Sequence, residues 1–168
     1  MMDTLSAIKT RRSVRNYKEE ILDINLISEI VSYGLYAPSA HNEQARKYYI
    51  ISEKKDRGFL AETMEYWKML LNAWGCILAC FDKNCVRSME FIQQDMWASI
   101  QTILLAAHEK WIWTVRLWLY PHEEPMNKII QHFNLPENII PFAIISMWIQ
   151  EGELPDKNIK SEWKIEII

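Results

Sequence analysis

Glycine is scarce in this chain. Four glycines stand in 168 residues, where average usage would give roughly 12. Few positions can therefore take a left-handed backbone without strain, or let two backbones meet closely. Cysteine is sparse too, and odd in number: Cys76, Cys80 and Cys85. With no Cys-x-x-Cys and no common zinc spacing, they exclude a disulfide scaffold and read as small apolar residues kept reduced. His41, His108, His122 and His132 form no ligand spacing either, so no metal site is expected. Long hydrophobic runs are also missing. The longest, residues 139–149, is interrupted by Pro141 and Ser146 and is too short to span a bilayer. No secretory signal opens the chain, since Met1-Met2-Asp3 has neither a cationic start nor an apolar core. A formal net charge of −3 argues against a nucleic-acid surface, while leaving room for a local basic pocket. The expectation is a soluble, cytoplasmic protein with no nucleic-acid or membrane partner.

What is present fits one globular domain over residues 1–168, with 49% hydrophobic and 24% charged residues. Asp3 is placed to cap a first helix and Asp23 a second, whose Leu26, Ile27, Ile30, Val31 and Leu35 recur at helical spacing. Pro38 ends that helix. Residues 47–52 predict a strand and residues 59–71 a helix. Residues 77–81 predict a short buried strand. Ser88 opens the strongest helical pattern, with Met89, Ile92, Met96, Ile100, Ile103, Leu104 and Ala107. Apolar residues on so much of its circumference predict a central or interface helix. Residues 113–120 predict another strand. Pro125 suits the first turn of a last helix, and residues 139–148 predict a strand buried on both faces. The tail, 159–168, alternates charged and apolar residues and reads as a C-terminal arm or an edge strand. The fold class is α+β, a sheet flanked by helices.

Three segments hold residues suited to chemistry. In an extended segment, Arg11, Ser13 and Arg15 share one face and present two guanidinium forks and a hydroxyl, a set suited to a phosphate monoester. Arg11 and Arg12 equally suit the C-terminus of the first helix. Pro38, Ser39 and Asn42 are ordinary turn residues. Lys68 reads equally well as a solvated surface lysine.

The turn Arg11-Arg12-Ser13-Val14-Arg15-Asn16-Tyr17 is followed, just over twenty residues on, by Ala37-Pro38-Ser39-Ala40-His41-Asn42-Glu43-Gln44. Together they resemble the two N-terminal signatures of the nitroreductase family of small dimeric FMN-dependent oxidoreductases, R-R-S-x-R and P-S-x-x-N-x-Q. Gln94-Asp95, residues 103–107, Leu119-Tyr120-Pro121 and residues 134–146 follow that family in order. The resemblance covers most of residues 3–160, with gaps at 53–75 and in the tail.

The resemblance implies a central mixed or antiparallel sheet flanked by helices, in a homodimer. It implies that Arg11, Ser13 and Arg15 hold the FMN phosphate, with Arg12 reaching the flavin or its ribityl chain. Pro38, Ser39, Ala40, Asn42 and Gln44 form a loop that crosses to the flavin of the other subunit. Lys68 lies near the flavin pyrimidine, where a positive charge stabilises the anionic reduced ring. Backbone at Trp118 and Leu119 approaches flavin N5, and Lys157 or Lys160 completes the phosphate site. A substrate lid falls within residues 53–75.

The chain departs from the family in two places. After Gln44 it has Ala45-Arg46 instead of Pro and an aromatic residue. Where the family has G-x-G-T-x-W-x-G, this chain has Trp111-Ile112-Trp113-Thr114-Val115-Arg116-Leu117-Trp118. Trp97 and Trp148 also stand where small residues, often glycine, are usual. Trp118 then either turns outward or fills flavin space, and burying several extra indoles would overpack the core.

The implied activity is transfer of electrons from NAD(P)H through FMN to nitroaromatic, quinone or related acceptors, in a ping-pong scheme that needs no catalytic side chain. Two alternatives stay open: a non-enzymatic dimer of the same fold with an occluded flavin site, and an FMN-dependent reductive dehalogenase.

Overall fold

Two aspartates begin the two N-terminal helices. The Asp3 carboxylate accepts from Leu5 and Ser6 N–H at the start of α1 (Thr4–Thr10), and Asp23 accepts from Asn25 N–H at the start of α2 (Ile24–Tyr33). Both serve backbone donors that the first helical turn leaves open. The computed structural model describes residues 2–15 and 22–149. Asn16, Tyr17, Lys157, Lys160 and the expected arm at 159–168 lie outside the described residues.

After α2 come 3-10 turns at Gly34–Tyr36 and Ala40–Asn42, then β1 (Arg46–Ile51), α3 (Lys54–Thr63), a 3-10 segment Glu65–Leu71 and β2 (Gly75–Asp82). A 3-10 turn at Lys83–Cys85 leads to α4 (Ile92–Glu109). β3 (Ile112–Trp118), α5 (Glu123–Phe133) and β4 (Ile139–Ile149) complete the order. The strands form one sheet in the order β1-β2-β4-β3, and every neighbouring pair is antiparallel. The α+β expectation holds.

Alternation along the strands divides the core in two. Ile77, Ala79 and Phe81 of β2 face α2 and α4, joining Ile27, Ile30, Met96, Ile100 and Ile103. Cys76, Leu78 and Cys80 face the other way, joining Leu60, Trp67, Leu70 and Ile129 from α3, the Glu65–Leu71 segment and α5. β2 and β4 are covered on both faces, which is why their sequences are nearly continuous apolar runs. α4 packs on the first face and also touches α1. At Gly34, an added Cβ would lie 2.7 Å from the Ile103 side chain. Only glycine lets that turn approach α4 so closely.

Two helix expectations are corrected. Residues 59–71 do not form one helix: α3 ends at Thr63, and Met64 is extended (φ −140, ψ 143) before the 3-10 segment. The buried Arg57 of α3 donates from Nη1 to the carbonyls of Leu70, Leu71 and Ala73. The second segment is thus tied back by a side chain rather than continuing the helical ladder. The α4 pattern begins at Ile92, not at Ser88, and Met89 is exposed. Phe91 stands at the N-cap position and offers no side-chain acceptor there.

Candidate functional site

The arginine segment leaves α1 and runs along the free edge of the sheet. Ser13 forms an isolated parallel bridge with Thr114 of β3. The lead-in is pinned by Thr10, whose Oγ1 lies 2.8 Å from Nε2 of the buried His108 on α4. Arg12 turns back: its Nη1 donates to the carbonyls of Lys9, Thr10 and Arg11, at 3.1, 2.8 and 3.2 Å. The expected reach of Arg12 towards a ribityl chain is therefore not its posture here, and it caps the C-terminus of α1. Arg11 is half-buried. Burial first, then the neighbouring Arg116 and Arg12 cations, push its guanidinium below its ordinary pKa. Ser13 and Arg15 are exposed. Arg11 thus sits among like charges at an open strand edge, a setting that an anion relieves.

β3 carries the other half of this region. Thr114, Arg116 and Trp118 alternate with Trp113, Val115 and Leu117, so the first three face α4. The Arg116 guanidinium lies 4.8 Å from the Trp97 ring centroid and 5.8 Å from that of Trp118. The two indoles are 4.8 Å apart, tilted by 52°. Trp118 nonetheless remains 55% exposed. On the opposite face Trp113 meets Trp148, its register partner on β4, at 6.4 Å and 83°. The Thr114 Oγ1 and Trp113 Nε1 are buried without hydrogen-bond partners. Trp111 and Trp118 are exposed, while Trp148 is buried in the core.

The second motif forms a tight turn at the other end of α4. Asp95 holds it, accepting from Ala40 N–H with both carboxylate oxygens, at 3.1 and 3.0 Å. The Ser39 Oγ accepts from Gln44 N–H, and Gln44 Nε2 donates to Asn42 Oδ1 at 2.8 Å. His41, Asn42 and Gln44 all have positive φ, 51°, 55° and 51°. Asparagine tolerates this best of the three. Pro38, Asn42 and Gln44 are exposed, so the loop offers polar amides to whatever lies against it. Just before the loop, Ser99 Oγ donates to the Gly34 carbonyl and lies 2.5 Å from Tyr48 Oη. Arg46 Nη1 donates to the carbonyls of Gly34 and Leu35. Where the family has Pro and an aromatic, this buried arginine therefore holds the loop's entry by hydrogen bonds.

One protomer does not gather all the expected residues. The loop's anchor, Asp95, and the arginine segment's anchor, His108, are thirteen residues apart on α4, about 20 Å along the axis. Lys68 is exposed on a 3-10 segment that packs on the sheet face opposite α4. The Leu119 side chain is buried in the core, leaving only its backbone to a ligand. Asp95, Arg116 and Arg46 were not singled out as site residues from the sequence. A carboxylate one turn into an apolar helix was the available signal for Asp95. Arg116 was visible only as a departure from the motif.

The model of the Nitroreductase family matches residues 8–109. A protein of Methanothermobacter thermautotrophicus, provisionally named NADH dehydrogenase/NAD(P)H nitroreductase, is 33% identical over 146 residues, 87% of this chain and 76% of that one. The crystal structure of a Clostridium acetobutylicum protein, provisionally named NADH oxidase, superposes with a TM-score of 0.89 at 30% identity, covering 96% of this chain and 98% of that one. A nitroreductase-type structure from Desulfovibrio desulfuricans, solved in complex with FMN, superposes with a TM-score of 0.83 at 24% identity, covering 100% and 98%.

Proposed function

The chain belongs to the nitroreductase family, and from that premise we propose that it is an FMN-dependent NAD(P)H oxidoreductase working as a homodimer. The observation that carries the reading is the docking of Ser13 against Thr114, which brings the Arg11–Arg15 segment to the open edge of β3, the strand that carries Arg116. Arg11 is half-buried, and its guanidinium pKa is pushed down by that burial and by the charges of Arg116 and Arg12, a setting that favours a bound dianion. A phosphate monoester fits this donor set, with Arg15 and the Ser13 hydroxyl adding further donors. The same fold holds FMN in the Desulfovibrio protein. When bound, FMN would supply the redox chemistry, carrying electrons from NAD(P)H to a nitroaromatic, a quinone or a related acceptor in ping-pong order. The protein's own share is to grip the phosphate, to order the Ser39–Gln44 loop through Asp95 and to present backbone along β3. Lys157 or Lys160 completes the phosphate grip on this reading.

The phosphate end fits, whereas the ring end does not fit the chain as written. Trp97, Arg116 and Trp118 stack in the space beside β3. This stack favours a second reading, a family member whose flavin site is closed. Purified protein decides between them. The first reading expects yellow protein with flavin absorbance, or uptake of added FMN with saturable quenching of indole fluorescence. Arg11→Ala or Arg15→Ala should then weaken FMN binding by about 1.5–3 kcal/mol, with little change in stability without FMN. Colourless protein whose indole emission is unmoved at high FMN supports the closed site. Turnover with NADH or NADPH and a panel of nitro, quinone and halogenated acceptors separates nitroreductase from dehalogenase chemistry.

The homodimer rests on three observations. Leu5 and Ile8 of α1, and Leu35 and Tyr36 after α2, are exposed apolar residues. Between α1 and α4 runs an apolar groove of about 550 Å³, floored by Ala7, Leu105 and Ala106. The loop and the arginine segment, about 20 Å apart at their anchors in one protomer, meet more readily across two copies. Sedimentation should show a dimer at micromolar concentration, and a monodisperse monomer there would sink the assembly.

A further inference from the structure

Five tryptophans share an oddity that neither the fold nor the proposed activity explains. Trp111 follows α4 directly. Its N–H bonds back to the His108 carbonyl, and its φ is +59. That is the left-handed position just past a helix end, where glycine is the usual residue and a bulky side chain is a strained exception. Trp113 is turned into the core with its Nε1 lacking an acceptor. Trp118 ends β3 with 55% of its surface exposed. The remaining two lean on these: Trp97 on Trp118, and Trp148 on Trp113. The indoles thus pack largely on one another, with Trp97 also meeting Phe142 edge-on at 4.9 Å and Trp148 reaching the core.

The sequence carries the same signal. All five stand where the matching motifs have glycine or a small residue, while the motif's own tryptophan position holds Arg116. The chain has therefore not become generally rich in tryptophan at aromatic positions. With these five as glycine the chain would hold nine glycines, nearer the roughly 12 that ordinary usage predicts. One codon links the two residues. UGA is read as tryptophan in one variant genetic code and as glycine in another, and it differs from the glycine codon GGA by one base. We infer that the protein made in its own cell carries glycine at positions 97, 111, 113, 118 and 148, each encoded by UGA.

The consequence is a different site. Glycine at 111 removes the strain at the α4–β3 junction, and glycine at 113 removes a buried indole N–H. Glycine at 97 and 118 clears the space over Arg116 and leaves β3 backbone open to a planar ring lying beyond the arginine segment. The assignment of that ring to a flavin rests on the function proposed above; the identity of the five residues does not.

The test begins with the gene. TGA is expected at all five codons, and TGG at codons 111 and 118 overturns the inference outright. Peptides covering residues 94–119 and 139–149, prepared from protein isolated from the source cells, are then weighed. Each position should be lighter by the difference between an indolylmethyl group and a hydrogen, and peptides of tryptophan mass overturn the inference whatever the codons. Separately, the chain as written and the chain carrying Trp97→Gly, Trp111→Gly, Trp113→Gly, Trp118→Gly and Trp148→Gly together are produced from unambiguous codons and titrated with FMN. The substituted chain should bind at least about tenfold more tightly, the scale of relieved overpacking. If the peptides carry glycine and that chain still ignores FMN, the flavin reading falls and the glycine assignment stands.

Discussion

β2 and β3 lie in the same sheet, one strand apart, and follow different rules. In β2, residues 76–81 are all 1% exposed or less. The strand is paired on both edges, and its alternation feeds two apolar cores. β3 pairs along its length only with β4, and its other edge meets Ser13 alone among the described residues. It holds a cation stacked on indoles, a buried threonine hydroxyl without a partner, and an exposed tryptophan. Where propensity, pattern, packing and polar satisfaction agree, as in β2, a segment is scaffold. Where several of them fail together, as in β3, the segment is a candidate site.

The strongest attempt to break this comparison exchanges one aromatic in each strand. Phe81→Ala in β2 should cost about 3–5 kcal/mol of unfolding free energy, the usual range for emptying a buried aromatic site. Trp118→Gly should cost only about 1–2 kcal/mol, from a lost ring pair, a cation–π contact and a glycine in a strand, while FMN binding improves. Equal losses in denaturant titrations would show that β3 is scaffold as well.

Acid–base chemistry sharpens the same contrast. Burial pushes the Cys76 thiol up to about 12 from 9.0, and it pushes the Cys80 thiol up as well. Between pH 9 and 12 the unfolded chain has released the Cys76 proton and the folded chain has not, so stability falls as pH rises through that window. The slope is at most about 1.4 kcal/mol per pH unit for each thiol. Denaturant midpoints should drop on moving from about pH 8 to about pH 10, and Cys76→Ala should flatten part of the drop. A thiol reagent should meanwhile label the exposed Cys85 at once and the two β2 thiols only on unfolding.

The smallest effect belongs to the junction entering β3. Trp111→Gly alone should stabilise the chain by about 1 kcal/mol, because the left-handed backbone no longer opposes a side chain. A loss of stability would mean that the half-exposed Trp111 ring packs more than its position indicates.

Much of this was readable from residues alone. Asp3 and Asp23 announce two helix starts because a short carboxylate serves N–H groups that every helix leaves open. Pro125 sits in the first turn of α5 as expected. The apolar spacing of α4 and the unbroken runs of β2 and β4 marked the core, since burial requires that periodicity. The order of the two N-terminal motifs pointed to the family. The break at Met64 was not legible, because it depends on Arg57 reaching carbonyls thirteen to sixteen residues away.

By itself, then, the sequence determined most of the helices and strands, which faces are apolar, and that an arginine turn and a Pro-Ser-x-x-Asn loop are present. Tertiary structure alone decided the sheet order β1-β2-β4-β3, the docking of Ser13 on Thr114, the partial burial of Arg11 among like charges, and the capture of Ala40 by Asp95. It also turned Arg12 back onto α1 and left Trp118 half in solvent. A sequence period states which side of an element must be covered. Only packing between segments far apart in the chain states what covers it.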